Sequence, residues 1–522
     1  RAEVASSNIR IGGFFKIAST ALYQLTAMVM GFITPRLMIL YYGSEINGLI
    51  VSVTEFLTYF KMLEAGLAAS VNVALYEPLA RRDHQAVSGI ASAARLFYNA
   101  AGWMFTGLTV AFTIAYPFFV PVRDLNGLPV SHLSVMVLIL AMGLSGMLEF
   151  FTMARYRVLI AADQRTYVVS LASMSSLMLS TALIVVLPYL GMDVIVVRLA
   201  ASLTILVRSV LLSRYARKHY PYVDPHAPPN RAALSTRWDA LSVELTNVFQ
   251  QGAGAILGTV VTRDAGLLSV YGVYHMVTVG LWGILKMGTT GINSIFGNLL
   301  VSGRKTAFQR AYRDFECLYY MLVSILFGAA AVLIVPFVTL YTHGVTDAAN
   351  YDAPLLGMLI IAEAVTNHAK MPMDLMITTS GKFREVRSHC FWQIALTVVC
   401  GTGMGLLLMP YGTMRALCGI VAGVCVGNLA RTVLQLRFIP KEVTGIAWQK
   451  TAWRNLPLAY PDIYPGNICY HKKSAPAHVL LLPGLSPLVS APTASSYNKG
   501  KYFRIHNPQS SGYLHLHFPV IS

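Results

Sequence analysis

Apolar residues along this chain run together in blocks of about 20 or more, each closed by a short polar loop. Blocks long enough to cross ~30 Å of hydrocarbon fall at 14–42, 46–76, 97–120, 131–156, 167–190 and 194–215. A second set falls at 239–262, 266–300, 318–342, 353–379, 389–410 and 413–438. The pattern predicts an all-α integral membrane protein with about 12 transmembrane helices. The second set repeats the first. Leu206 to Tyr215 returns as Leu429 to Phe438, Leu187-Pro188-Tyr189 as Met409-Pro410-Tyr411, and Leu96-Phe97-Tyr98 as Leu318-Tyr319-Tyr320. The separation stays near ~220 residues, which marks a duplicated unit. An even number of spans per copy gives both halves one topology. Two six-helix lobes related by a pseudo-twofold axis along the membrane normal are therefore expected.

The divisions follow. Residues 1–215 form the N-terminal lobe, 216–237 a linker with Pro221, Pro225, Pro228 and Pro229, and 238–444 the C-terminal lobe. Residues 445–522 carry no span and no helical period, and read as a disordered tail.

Composition agrees with a membrane protein: 55% of residues are hydrophobic, mean hydropathy is +0.56, and 12% are charged, about half the usual share of a soluble domain. The net charge of +17 would suggest nucleic acid in a soluble chain. Here the basic residues are dispersed over short loops, so nucleic acid is not an expected partner. One set of loops carries Arg81-Arg82, Arg155, Arg157, Arg165, Arg214, Arg217-Lys218, Arg304-Lys305, Arg310, Arg313, Lys382, Arg384 and Arg387. The alternate loops are nearly bare, with isolated Arg123, Arg263 and Arg415. The basic face belongs in the cytoplasm, with both termini. The six cysteines show no C-x-x-C spacing, and no nucleotide, zinc or other cofactor motif occurs.

Charges inside spans carry most information, because each costs ~2.5–3.5 kcal/mol near the bilayer centre and so faces a cavity or a partner. Glu55, Lys61 and Glu64 fall in the second span, where Lys61 and Glu64 can pair as a structural couple. Aligning Leu63 to Gly66 with Leu285 to Gly288 makes Glu64 and Lys286 mates that could face each other across a central cavity. Span ten holds Glu363, His368, Lys370 and Asp374, with Lys370 and Asp374 spaced to pair. Glu55, Glu64, Glu363, Lys370 and Asp374 are the candidates for gating or ion coupling. Arg36, two turns inside the first span, reads most simply as a snorkelling side chain. Glu244 lies nearer the inner face, Gln250-Gln251 are central and uncharged, and Arg208, Arg214, Arg431 and Arg437 read as anchors at inner helix ends.

The segments Gly43 to Leu49, Leu63 to Leu67 and Ala74 to Ala80 resemble the polysaccharide transporter family of the multidrug/oligosaccharidyl-lipid/polysaccharide flippase superfamily. Tyr271 to Tyr274, Phe296 to Leu299 and Pro336-Phe337 continue the resemblance in order, over about residues 8–445. It implies a non-enzymatic transporter in a bacterial plasma membrane that flips undecaprenyl-pyrophosphate-linked oligosaccharide repeat units outward for capsule, O-antigen or exopolysaccharide. The family's cationic cavity maps onto Arg36, Lys61 and Lys286 as substrate-binding residues. Implied partners are the polyprenyl-pyrophosphate-linked oligosaccharide, membrane lipid, a polysaccharide polymerase and a chain-length regulator. A multidrug exporter of the same superfamily is the first alternative, kept open by Glu55, Glu64 and Glu363. A membrane glycosyltransferase or polymerase is the second, disfavoured by the short outer loops.

Overall fold

The computed structural model describes residues 2–152, 154–224, 227–230, 237–289, 292–347, 349–446 and 448–454. These residues form helices and turns, with one isolated β-bridge between Arg123 and Pro129. The first lobe comprises α1 (Ala2–Tyr42), α2 (Ser44–Lys61), α3 (Ala65–Arg81), α4 (His84–Phe119) and α5 (His132–Thr152). It continues through α6 (Ala154–Ala162), α7 (Thr166–Tyr189), α8 (Val194–Leu203) and α9 (Ile205–His219). The second lobe comprises α10 (Arg237–Thr262), α11 (Ala265–Thr289), α12 (Ile292–Val301), α13 (Lys305–Tyr341) and α14 (Pro354–Ala369). It ends in α15 (Met371–Ser380), α16 (Arg387–Leu408) and α17 (Thr413–Ile439), followed by a short α18 (Trp448–Arg454).

Nine of the described helices are long and apolar enough to span a membrane. The other three crossings are α2 with α3, α10, and α14 with α15; they complete twelve spans in two six-helix lobes. Two of those three are broken, at the 3-10 turn Met62–Glu64 and at Lys370, where Pro372 in the first turn of α15 cannot continue α14. A further break at Thr204 divides α8 from α9, and the Thr204 carbonyl accepts a hydrogen bond from Ser176 Oγ at 2.9 Å. Interrupted helices at membrane depth need such partners or a polar cavity beside them.

Several helices outrun the hydropathy blocks. α4 begins at His84 rather than near 97, with Asp83 capping the Ala86 N–H at 2.9 Å. α13 begins at Lys305 rather than near 318, and its first turns bury Phe308, Tyr312 and Glu316 while exposing Arg310 and Arg313. Both extensions are amphipathic, so a search for unbroken apolar runs misses them. The described part of the linker packs rather than floats: Asn230 N–H donates to the Gly89 carbonyl at 3.1 Å, and Tyr222 lies on His84 with ring centroids 3.9 Å apart. Linker residues 225–226 and 231–236 lie outside the described residues, as does the tail from 455 to 522. Past Gly445 the chain turns into α18, where Thr451 is buried.

The outer surface is apolar, as lipid requires: Val332, Leu340, Leu407 and Trp103 are all exposed. Lipid offers no hydrophobic drive for helix association, so close packing must supply it. α17 lays Gly419, Gly423 and Gly427 against α16, where a Cβ on Gly423 would overlap the Gly401 backbone. The pseudo-twofold axis passes between α2 and α11. Asn47 and Ser269 occupy equivalent places in the two copies and bond to each other across it, Nδ2 to Oγ at 2.8 Å.

Candidate functional site: a cationic pocket and a dry polar network

The lobes meet closely on the face with bare loops. Ser44 bonds to Tyr351 (Oγ to phenol oxygen, 2.5 Å), Ser269 bonds to the same phenol at 2.9 Å, and Ser52 bonds to Thr259 at 2.8 Å. Burial pushes the Tyr351 phenol up to about 12, so it stays neutral in this seal. At Gly48 the backbone of α2 comes so close to the Ala265 carbonyl of α11 that no Cβ fits. Arg36 belongs to this seal. Its guanidinium donates to the carbonyls of Tyr341 and His343 (2.7 Å to the latter) at the C-terminal end of α13, where helix carbonyls lack intrahelical partners. The expected substrate cation is thus an interlobe clasp.

A cavity of about 350 Å³ lies inside the first lobe. Its wall carries Lys61, Arg198 and Arg208, together with eight serine and threonine side chains, among them Thr54, Thr58, Ser145, Ser173 and Ser202. Tyr23, Leu57, Phe105 and Ile184 supply apolar surface, and no carboxylate among the described residues lines it. The break at Thr204 opens directly onto it. Arg198 Nε and Nη2 and Arg208 Nε are buried without a hydrogen-bond partner.

Behind this wall stands Glu149 of α5. Its Oε2 meets Lys61 Nζ at 3.1 Å, and its Oε1 meets Arg157 Nη1 at 3.0 Å and Arg208 Nη1 at 3.5 Å. Arg157 also pairs with Glu64. The pairing of Lys61 with Glu64 allowed by their spacing is not formed, because the 3-10 turn at Met62–Glu64 rotates the two side chains apart, each to its own partner. Nor does Glu64 line a central cavity with Lys286: Glu64 is buried against Arg157, and Lys286 is exposed over the Trp282 ring, 4.8 Å from its centroid. Glu55 packs its carboxylate against Gly252 of α10, beside Tyr59, whose hydroxyl donates to the Phe249 carbonyl.

The second lobe brings its polar residues together differently. Asp374 pairs with Arg431 and accepts from Gln435 Nε2 at 2.7 Å. Arg431 donates onward to Gln393 Oε1 (2.9 Å) and Asn247 Oδ1 (3.2 Å). Gln393 reaches Asn428 at 2.9 Å, Asn428 receives Lys370 Nζ at 3.1 Å, and Glu363 accepts from Asn428 Nδ2 at 3.4 Å. Asp374 therefore takes Arg431, not Lys370, and Lys370 takes Asn367 and Asn428. Arg431 is wholly buried, which corrects its reading as an anchor at a helix end. Gln250 joins the same interior through Thr397 at 3.3 Å. The Glu244 side chain lies outside the described residues.

Sequence reasoning missed Glu149 and Arg198, and read Arg208 as an anchor. The rule that marked Glu64 marks them too: each is an isolated charge within a predicted span.

Neither a protein-family model nor a curated protein sequence matches the chain. Solved structures do. A multidrug resistance MATE family transporter of the MOP superfamily in its inward-facing conformation matches with TM-score 0.59 at 14% identity, over 85% of this chain and 98% of that one. Its outward-facing counterpart gives 0.57 at 14% identity, over 83% and 96%. A MOP superfamily transporter from Pyrococcus furiosus Vc1 (DSM3638), described as having a reverse-polarity binding pocket that suggests a different function, gives 0.51 at 15% identity, over 86% and 94%. The chain has the two-lobe, twelve-helix fold of MOP superfamily transporters.

Proposed function

We propose that this protein is a membrane transporter whose substrate bears an anionic, hydroxyl-rich head group, received in the first-lobe pocket. The observation that carries the reading is the pocket wall: among the described residues it has three cations, eight serine and threonine side chains and no carboxylate. Lys and Arg suit phosphate oxygens, the first as a compact charge and the second through its fork of donors. A polyprenyl-pyrophosphate-linked oligosaccharide has that chemistry, with its polyprenyl chain left in lipid, and we keep it as the specific substrate. The seal of single hydrogen bonds at the bare face suits alternating access. Each bond in a membrane is worth only about 0.6–2 kcal/mol, so the seal can open and re-form. We place the basic face, with both termini, in the cytoplasm of a bacterial plasma membrane. Reporter fusions after Arg82, Lys218, Lys305 and Arg384 should then report cytoplasm, and those after Glu45, Asp193 and Asp347 the outside.

A second reading is a multidrug exporter. It is favoured by the solved neighbours, two of which are multidrug resistance transporters, and their names lie nearer to it than to a flippase. Proteoliposomes separate the two. A fluorescent polyprenyl-diphosphate sugar should cross in the presence of the wild type and not of Lys61→Ala, while an organic cation such as ethidium should not be moved. Ethidium export with no movement of the diphosphate would favour the multidrug reading and reject ours.

A further inference from the structure

Among the described residues, Glu149 is the one carboxylate that touches the pocket's cations, yet it is set behind the wall rather than in it. We propose that Glu149 is a resident counter-ion, which an anionic head group replaces on Lys61 and Arg208 as it enters. The inference rests on reading the pocket as an anion site.

Three features of the cluster fit an exchange. The hold on the two pocket cations is loose: Lys61 keeps one contact at 3.1 Å with its side chain about one-third exposed, and Arg208 stands at 3.5 Å. Charge-assisted bonds that are fully made run to roughly 2.7–2.9 Å. Arg157 also holds Glu149, at 3.0 Å on the Oε1 that it shares with Arg208, and is itself tied to Glu64. When Lys61 and Arg208 turn away, Glu149 keeps a cation and no buried charge is orphaned, which is the arrangement that would otherwise be most costly. Lastly, Arg198 and the Nε of Arg208 already present unmade donors beside the pocket, so an incoming anion gains more partners than Glu149 gives up. Gly146 of α5 leaves room for the Lys61 stem: a Cβ there would lie 2.9 Å from Lys61 Cε. The carboxylate that meets Arg431 in the second lobe has no such slack, since Asp374 is shared by a fully buried Arg431 and Gln435.

Glu149 thereby offsets part of the positive charge of an empty pocket, and binding becomes a competition between two anions for the same cations. Calorimetric titration of the full chain in detergent with inorganic pyrophosphate tests this. The wild type should bind in a salt-sensitive manner, and Lys61→Gln should weaken binding by about tenfold or more. Glu149→Gln should tighten it by roughly threefold to tenfold, and the gain should vanish when Lys61→Gln is added. Glu149→Asp keeps the charge beside Arg157 but withdraws it by one methylene. It should also bind tighter than the wild type, and it decides the matter if the Gln variant does not fold. Absence of any Lys61-dependent binding would reject the anion site and this inference with it. Lys61-dependent binding that neither variant at position 149 improves would leave the anion site standing and overturn the counter-ion role.

Discussion

Arg208 and Arg431 occupy equivalent places in the two copies, and each meets a carboxylate of the fourth span of its lobe, Glu149 or Asp374. The duplicated pair has taken two different courses. In the first lobe the arginine borders a cavity and shares its carboxylate with Lys61 and Arg157. In the second lobe it is fully buried and bonded on to Asn247 and Gln393. A fully buried network has only its own members for partners, whereas one that borders a cavity can take a ligand in their place. One copy of the repeat is therefore fitted to hold its shape, and the other to meet a ligand.

The sharpest way to break that contrast is to remove one member of the buried pair. Asp374→Ala should destabilise the protein by about 3–5 kcal/mol, because Arg431 is left charged and buried. The double change Arg431→Met with Asp374→Leu should recover most of that loss in a thermal denaturation in detergent. A double variant as unstable as the single would mean that Gln435, Gln393 and Asn247 depend on the pair more than it depends on them.

Helix packing offers the next test. Gly423→Leu forces a side chain into the Gly401 backbone and should cost about 1–3 kcal/mol or displace α16 from α17, read as a lower melting temperature. The same change at Gly328 of α13, where a Cβ would meet nothing, should leave the melting temperature in place.

Lys61→Ala sharpens the comparison from the other side. Its ion pair is partly exposed, so stability should fall by less than about 1 kcal/mol. Movement of a polyprenyl-diphosphate substrate should nevertheless be lost. Smallest of all is the effect of the tail: ending the chain after Arg454 should change neither stability nor transport. Ending it at Gly445 removes α18 with its buried Thr451 and should lower the melting temperature measurably.

Much of this architecture was legible in the sequence because lipid imposes so strong a rule: a span must be apolar and long, and a repeat of spans betrays a duplication. The helical ends were less legible. The first turns of α4 and α13 leave the hydrocarbon and become amphipathic, which interrupts the apolar run without ending the helix. The site was legible as a set of residue types and not as a set of pairs. Lys61, Glu64, Glu363, Lys370 and Asp374 were all marked by the cost of intramembrane charge, but a spacing of three or four residues does not make a pair when a 3-10 turn or a proline breaks the helix between or beside them. Arg36 shows the opposite limit. Its charge was marked, but the carbonyls it serves lie on α13, about 300 residues away, and no local pattern announces them.

The division of labour between the lobes is tested most directly by one substitution made twice. Arg208→Gln and Arg431→Gln should each be purified, and melting temperature and transport per folded molecule measured side by side. Arg208→Gln should keep a melting temperature near that of the wild type and lose most transport of the diphosphate substrate. Arg431→Gln should melt well below the wild type, with the molecules that remain folded transporting normally. The reverse pattern, stability lost at 208 and transport lost at 431, would contradict the assignment of the first lobe as the binding lobe and the second as the scaffold.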